Sequence, residues 1–242
     1  MKIYAKTDIG KVRNINQDHF DFQIFDHKFS WAAVCDGMGG TKAGEVASTL
    51  ACQSVKKAIR EKFKVDLSEE EVKAIILDSI KISNAKILQK SAENEEYLGM
   101  GTTIVLVAIH NNIAHVAHIG DSRAYVISEG KIEQITKDHS MVQEMIESGE
   151  ITSEQAKNHP KKNIITRALG VHEDIEIDYA SVALKKDDTL LLCTDGLSNY
   201  IDDEEVLRYV EKYSGQEVVD NLVQKANDLG GNDNLTALIM EI

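Results

Sequence analysis

The sequence predicts an α+β fold in which blocks of antiparallel strands alternate with pairs of helices. The short β-type runs are joined by links such as Asn111-Asn112 and Glu129-Gly130, which are too short for a parallel crossover. Two long helical segments follow the first strand block, and two more precede the last strand. Strand blocks interrupted by helix pairs are typical of layered α+β domains and not of alternating βαβ folds.

The first block is predicted to contain three strands, at residues 2–8, 21–25 and 29–35. The polar link at about 26–28 suits an antiparallel hairpin between the last two. A helix is expected over about 44–61, and a second one begins at Ser68, where Ser-Glu-Glu-Glu forms a capping box with Glu71. Four apolar residues then repeat at helical spacing, at Val72, Ile75, Ile76 and Ile80.

The second block is predicted to contain strands at 102–109, 113–119, 123–128 and 131–135. A polar, helical stretch covers 138–162, with a possible capping box at Thr152 and Gln155. Strands at 175–182 and 189–194, helices at 203–213 and 216–229, and a closing strand at 235–242 complete the chain. No linker is evident, and Pro160 is the only proline, so residues 1–242 are predicted to form one domain.

The composition excludes several classes of partner. The 242 residues include 27 basic and 40 acidic side chains, for a net charge of −13. Nucleic acids and anionic membranes bind surfaces on which Lys and Arg are clustered, so neither is expected as the main partner.

The three cysteines have no paired spacing and are predicted to be reduced core thiols. Because there is no apolar signal core and no apolar run of about 18 residues, we expect a cytoplasmic protein without membrane insertion.

Four aspartates fall at the predicted ends of strands, next to glycine or a small polar residue. They are Asp36, Asp121, Asp195 and Asp233. A carboxylate at the edge of an apolar core is costly unless it is paired or binds a cation, and several aspartates with water suit Mg²⁺ or Mn²⁺. Any single Asp-Gly is more often a simple turn. An EF-hand loop is excluded, because its regular D-x-[DN]-x-[DN]-G spacing is absent.

Five short motifs extend this pattern along the chain. They are Arg13-Asn14-Ile15-Asn16-Gln17-Asp18, Asp36-Gly37-Met38-Gly39-Gly40, Gly120-Asp121-Ser122-Arg123, Thr194-Asp195-Gly196-Leu197 and Gly231-Asn232-Asp233-Asn234. In content and order the chain resembles the metal-dependent protein phosphatases (type 2C, PPM), and most of all the short bacterial members that reverse serine/threonine kinases. This resemblance implies a four-layer sandwich: two central antiparallel β-sheets flanked by pairs of helices, with metals at one end.

The resemblance also implies a role for each motif residue. Asp36 would bridge two Mn²⁺ or Mg²⁺ ions, the Gly37 carbonyl would bind one of them, and Asp195 and Asp233 would bind the other. Asp121, together with Asp195, would hold a third, weaker ion. Arg13 would bind the substrate phosphate, and Asp18 would orient metal-bound water.

The implied activity is hydrolysis of phosphoserine and phosphothreonine monoesters by a water or hydroxide that bridges the two metals, without a phosphoenzyme intermediate. Two cations about 3.5–4 Å apart can lower the pKa of a shared water from 15.7 towards neutrality. The planar guanidinium of Arg13 offers a bidentate donor pair to phosphate. The expected partners are phosphorylated proteins, including a serine/threonine kinase and its substrates, and the chain is expected to be a monomer.

Two residues depart from the eukaryotic pattern of this family. Met38 stands where many of those members have a histidine proposed as general acid, and methionine cannot donate a proton. Gln17 replaces a glutamate beside the metal site, which weakens one contact. Bacterial members commonly have both features, so neither argues against activity.

Other residues have more ordinary interpretations. We expect His110, His115 and His118 in core or surface positions and Asp138 as a helix cap. The polar segment at about 141–165 resembles the flap beside the metal centre of the family. We expect it to be mobile and to shape the access of protein substrates, although a variable surface loop would have the same composition.

The sequence argues against several other phosphatase mechanisms. A thiol phosphatase is excluded because no cysteine begins a C-x₅-R motif, and D-x-D and P-loop motifs are also absent. A phosphatase-like binding domain without catalysis, and a metal enzyme acting on small phosphate esters or diesters, remain as alternatives.

Overall fold

The computed structural model describes residues 1–25, 29–40, 42–64 and 66–242, and the strands of these ranges form two antiparallel β-sheets. The strands are β1 (Lys2–Asp8), β2 (Asp18–Ile24), β3 (Phe29–Met38), β4 (Gly101–Thr102), β5 (Ile104–His110), β6 (Ile113–Ile119), β7 (Arg123–Ser128), β8 (Lys131–Gln134), β9 (Asp178–Ala183), β10 (Thr189–Cys193) and β11 (Leu235–Glu241).

The helices lie between these strand blocks. They are α1 (Ala43–Lys62), α2 (Glu69–Glu93), α3 (Met141–Glu147), α4 (Ser153–Lys157), α5 (Asp195–Ser198), α6 (Asp203–Lys212) and α7 (Gln216–Leu229), with a 3₁₀ turn at Glu95–Tyr97. The predicted capping boxes at Ser68 and Thr152 are both present. No helix in the described ranges is long and apolar enough to cross a membrane.

Each of the two sheets combines strands that are consecutive in sequence with strands that are distant in sequence. Sheet I has the order β1-β11-β10-β7-β8, and sheet II has the order β2-β3-β5-β6-β9, with β4 pairing to β3. In sheet II, Asp18 of β2 lies directly opposite Asp36 of β3. Residues directly opposite each other in an antiparallel pair point to the same face, so this register brings two of the motif carboxylates together.

The buried apolar side chains separate into three clusters, which define four layers. One lies between α1, α2 and sheet II and includes Trp31 and Cys35. The central cluster lies between the two sheets and includes Val34 of sheet II and Leu238 of sheet I. The third lies between sheet I and α5–α7. The predicted α+β fold with two sheets flanked by helix pairs is therefore confirmed.

The structure corrects several predicted boundaries. Strand β3 continues through Asp36 to Met38, so this aspartate lies within the strand. The polar stretch at 138–162 contains the short helices α3 and α4, which agrees with its predicted helical character, whereas the helix α5 was not predicted. Asp138 is not a helix cap: Ser140 caps α3, while Asp138 forms an ion pair with Arg123. The predicted hairpin link at 26–28 lies outside the described residues.

Strand β3 and helix α1 approach each other closely at two glycines. A Cβ atom built on Gly37 would collide with the backbone carbonyl of Gly44. A Cβ atom on Gly44 would lie 2.7 Å from the carbonyl oxygen of Gly37 and 2.7 Å from the side-chain amide of Gln17. Because Gly37 follows Asp36, this contact also fixes the backbone beside the carboxylates.

We expect Gly44→Ala to destabilise the protein, although Gly→Ala within a helix is usually stabilising by about 1 kcal/mol. The added methyl group overpacks the contact with Gly37, which costs about 1–3 kcal/mol. Urea unfolding followed by the fluorescence of Trp31, which is fully buried, would measure the change. Gly40→Ala is the matched control, because its Cβ would meet no atom within 4 Å. Equal stability of the two variants would contradict the close-approach argument.

Candidate functional site

The motif aspartates meet at one end of the two sheets. Asp36 lies near the end of β3, Asp121 in the turn between β6 and β7, Asp195 at the start of α5 after β10, and Asp233 before β11. These four carboxylates line a cavity of about 260 Å³. Arg13 and Gly37 line the same cavity.

The backbone of Asp36 is fixed by hydroxyl groups from neighbouring strands. The hydroxyl of Thr102 donates to the Asp36 carbonyl at 2.8 Å, and the Asp36 amide donates to the Thr103 hydroxyl at 2.9 Å. That hydroxyl is 2.7 Å from the hydroxyl of Ser122. Ser122 follows Asp121, so the same network connects the strand that carries Asp36 to the turn that carries Asp121.

Asp18 is buried opposite Asp36 and is not among the residues that line the cavity. Its Oδ2 atom accepts hydrogen bonds from the hydroxyls of Thr194 at 2.8 Å and Thr236 at 2.7 Å. Its Oδ1 atom is buried without a hydrogen-bond partner among the described residues. Burial raises the pKa of Asp18 to about 7; the carboxylates of Asp195 and Asp233 raise it as well, and the two hydroxyls oppose the shift.

The other buried carboxyls are perturbed in the same direction. Burial, with the charges of neighbouring aspartates, raises the pKa of Asp36 well above its usual range. Burial, and then the charge of Asp195, raises the pKa of Asp121 to about 8. Burial also raises the pKa of Asp195, whose Oδ1 atom is buried and has no partner among the described residues.

The carboxylates at this end of the sheets have the properties of ligands for divalent cations. Two buried carboxylate oxygens have no hydrogen-bond donor among the described residues, and burial raises the pKa of four aspartates. Among the residues that line the cavity, Arg13 is the only base. A buried carboxylate is stable as an anion only when it is paired or coordinates a metal, and oxygen-rich sets suit Mg²⁺ and Mn²⁺. The residues therefore fit such ions.

Arg13 sits at the rim of the cavity, on the loop between β1 and β2. Its Nη2 atom is 2.8 Å from the Oδ2 atom of Asp233, and its side chain is half exposed. Gln17, from the same loop, donates from Nε2 to the carbonyls of Gly39 at 3.5 Å and Gly40 at 3.3 Å. The glutamine thus contacts the backbone that follows Gly37, which a glutamate could not do as a donor.

A second group of metal-binding residue types lies beside this site. One nitrogen from each of His118 and His139 and one oxygen of Asp178 fall within 4.8 Å of one another. The Gly120 amide donates to Nδ1 of His139 at 3.1 Å, so the ring proton is on Nε2, which faces Asp178 at 3.4 Å. Arg167 is 3.0 Å from the same carboxylate. The histidines are buried, as expected for core residues, and a cation would have to displace the guanidinium of Arg167.

Sequence comparison places the chain among known proteins. Residues 11–238 match the family described as Protein phosphatase 2C. The serine/threonine phosphatase stp of Listeria monocytogenes is 39% identical over 241 residues, covering 98% of this chain and 94% of the relative. Protein phosphatase PhpP of Streptococcus pneumoniae is 37% identical over 243 residues, covering 100% and 98%.

Solved structures agree with the sequence comparison. The serine/threonine phosphatase PstP/Ppp of Mycobacterium tuberculosis superposes with a TM-score of 0.89 at 32% identity, covering 100% of this chain and 99% of that one. The catalytic domain of PstP in complex with two manganese ions superposes with a TM-score of 0.84, also at 32% identity, covering 98% and 96%. The chain therefore belongs to the protein phosphatase 2C (PPM) family, within its bacterial serine/threonine phosphatase branch.

Proposed function

We propose that this protein hydrolyses phosphoserine and phosphothreonine monoesters on other proteins with the help of two divalent cations, Mn²⁺ or Mg²⁺. Asp36, Gly37, Asp195 and Asp233 would hold the two ions, and Asp121 with Asp195 would hold a third. The observation that carries the proposal is the set of four carboxylates that line one cavity, together with the buried oxygens of Asp18 and Asp195 that lack a hydrogen-bond donor among the described residues. The two manganese ions of the related PstP structure support it.

The cations would supply a water of lowered pKa and offset the negative charge of the phosphoryl group. The chain's own residues bind and orient the reactants. Arg13 would bind the phosphoryl oxygens through its two parallel N–H donors, in a geometry that lysine cannot match. The Thr194 and Thr236 hydroxyls hold Oδ2 of Asp18, which leaves Oδ1 to accept a hydrogen bond from the attacking water. Attack by water makes a phosphoenzyme intermediate unnecessary.

We also propose that residues 1–242 form a single domain and that the segment at about 141–165 acts as a flap. Within α3 and α4 only Ala156 is buried, and Asn163 and Ile165 line the cavity. This exposed segment would therefore shape the access of protein substrates. The substrates would include a serine/threonine kinase and its targets, and the enzyme would act as a cytoplasmic monomer.

The proposal predicts metal-dependent turnover of a phosphothreonine peptide. Activity should disappear with a chelator and return with Mn²⁺ or Mg²⁺. Asp36→Asn and Asp233→Asn replace a carboxylate with an amide of the same shape, so each should lower kcat by at least about 100-fold. Turnover of the peptide and of a nucleotide should be compared in the same assay, with Asp66→Asn, on the link between α1 and α2, as the control.

Undiminished peptide turnover in chelator would contradict the two-cation mechanism. Faster turnover of the nucleotide than of the phosphopeptide would identify an enzyme for small phosphate esters. Mn²⁺ binding without turnover of either substrate would identify a binding domain that has lost catalysis.

The raised aspartate pKa values predict how stability depends on pH in the presence of a chelator. Asp121, whose native pKa is about 8, still holds its proton at pH 7, whereas an unfolded aspartate, whose ordinary pKa is 3.8, is ionised. The free energy of unfolding should therefore fall between about pH 7 and pH 8, by at most about 1.4 kcal/mol per pH unit for this proton, and the raised pKa of Asp36 acts in the same direction. This window lies above the ordinary histidine pKa of 6.5, so buried histidines add little.

Urea unfolding at several pH values would measure this slope. Asp121→Asn cannot titrate and should flatten it, while saturating Mn²⁺ should raise stability most at the upper end of the range. Stability that increases from pH 7 to pH 8 in chelator would contradict the raised pKa of Asp121.

Arg13→Ala should raise KM for the phosphopeptide and lower kcat, because the guanidinium contacts phosphoryl oxygens whose charge changes in the transition state. We expect a KM increase of about tenfold, and a smaller one for Arg13→Lys, which retains the charge but not the fork. Mn²⁺ affinity, measured by calorimetry, should not fall, since the alanine variant leaves Asp233 free for the ion. A large loss of Mn²⁺ binding would show that Arg13 supports the metal site and not the substrate.

A further inference from the structure

The side chain of Asn234 is buried directly behind the loop that carries Arg13. Its Nδ2 group donates to the carbonyl of Ile9 at 2.9 Å and to the carbonyl of Ile15 at 3.0 Å. Its Oδ1 atom accepts from the amide of Gln17 at 2.8 Å. The residue is 5% exposed, so these three bonds are not replaced by bulk water.

These bonds bracket Arg13 along the chain. Ile9 precedes Arg13 by four residues and Ile15 follows it by two. The loop also contacts the same segment through its backbone, where the Lys11 amide donates to the carbonyl of Gly231 at 2.7 Å. The loop between β1 and β2 thus rests on residues 231–234, and the amide of Asn234 is one of its side-chain anchors.

Asn234 also follows Asp233, the residue that pairs with Arg13. The Asn234 backbone amide donates to Oδ1 of Asp233 at 2.8 Å, while Arg13 binds Oδ2. One dipeptide therefore holds both the guanidinium, through a carboxylate, and the backbone on either side of it, through an amide. This arrangement determines where Arg13 stands relative to the carboxylates.

We propose that Asn234 is a positioning residue for Arg13, because its buried amide joins the backbone on both sides of Arg13 to the segment that carries Asp233. The proposal rests on the proposed phosphate-binding function of Arg13. Asparagine suits the position because its planar amide offers two donors and an acceptor on one short side chain. An aspartate of the same shape would keep the acceptor for Gln17 but would face the carbonyls of Ile9 and Ile15 with a second acceptor.

A double-mutant cycle would test the proposal. Asn234→Asp should raise KM for a phosphothreonine peptide about tenfold in an otherwise unchanged chain, because two donors are lost and two carbonyls are left unpaired. In the Arg13→Ala background the same substitution should change KM by less than about twofold, since the group that it positions is absent. If the two substitutions changed KM independently, so that their factors multiplied in the double variant, the proposal would be overturned.

Two further measurements exclude a general disturbance of the site. Hydrogen exchange of backbone amides in residues 9–17 should accelerate in Asn234→Asp, and Mn²⁺ binding followed by calorimetry should stay within about threefold of the unchanged protein. Asn234→Ala makes the same test without an added charge. Asn221→Asp, on α7, is the matched control, because among the described residues the Asn221 amide donates to the carbonyl of Glu217 within the same helix and not to the loop that carries Arg13.

The outcomes separate the two proposals. If Arg13→Ala raises KM but Asn234→Asp acts equally in both backgrounds, Arg13 binds phosphate and Asn234 does not position it. If Arg13→Ala leaves KM unchanged, the phosphate-binding role fails and the inference fails with it. A loss of Mn²⁺ binding in both Asn234 variants, with unchanged exchange in residues 9–17, would also overturn the inference.

Discussion

The repulsion among the aspartates at one end of the sandwich is the constraint that the surrounding structure has to satisfy. Asp18 and Asp121 are buried, Asp36 and Asp195 are partly buried, and the pKa of each is raised by burial and by the charge of its neighbours. Such a cluster is unfavourable to folding unless protons or cations offset the charge. Evolution keeps costly polar groups in a core mainly where they serve a function, so the cost itself points to the site.

Hydrogen bonds hold two of these aspartates in place in spite of the repulsion. Hydroxyl groups of Thr102 and Thr103 hold Asp36, and those of Thr194 and Thr236 hold Asp18. These hydroxyl groups lie on or next to strands of both sheets. Neither the backbone of Asp36 nor the carboxylate of Asp18 can shift without breaking hydrogen bonds, so the fold itself fixes the positions of these two residues.

The sequence was most informative where the signal was local or carried by a motif. The apolar run from Trp31 to Cys35 predicted strand β3, and Ser68 with Glu71 predicted the start of α2; both are confirmed. The order of five motifs predicted the family, which the comparisons confirm.

What the sequence did not predict depends on contacts between distant segments. Ser122 and Asn234 lie within the motifs and Thr103 does not, but nothing local in any of the three residues predicts which groups it hydrogen-bonds. Their roles depend on which strands become neighbours, and the bonds from Asn234 to Ile9 and Ile15 span more than two hundred residues. The same holds for the continuation of β3 through Asp36, because pairing with Asp18 on β2 extends the strand beyond its apolar run. The fold class was therefore predictable, whereas the hydrogen bonds that hold the site were not.

The central apolar layer has a consequence for the distribution of tolerated substitutions. Asp36 and Asp18 belong to sheet II, whereas Asp195 and Asp233 follow or precede strands of sheet I. The distances between the carboxylates of the two sheets therefore depend on how one sheet packs on the other, through side chains such as Val34, Val105 and Leu238. A change of one methyl group there alters no residue that touches substrate, yet it tilts or slides one half of the active site against the other. The catalytic rate should thus depend on the volume of the side chains between the two sheets. Directed evolution of activity could therefore select substitutions at core positions that contact no ligand.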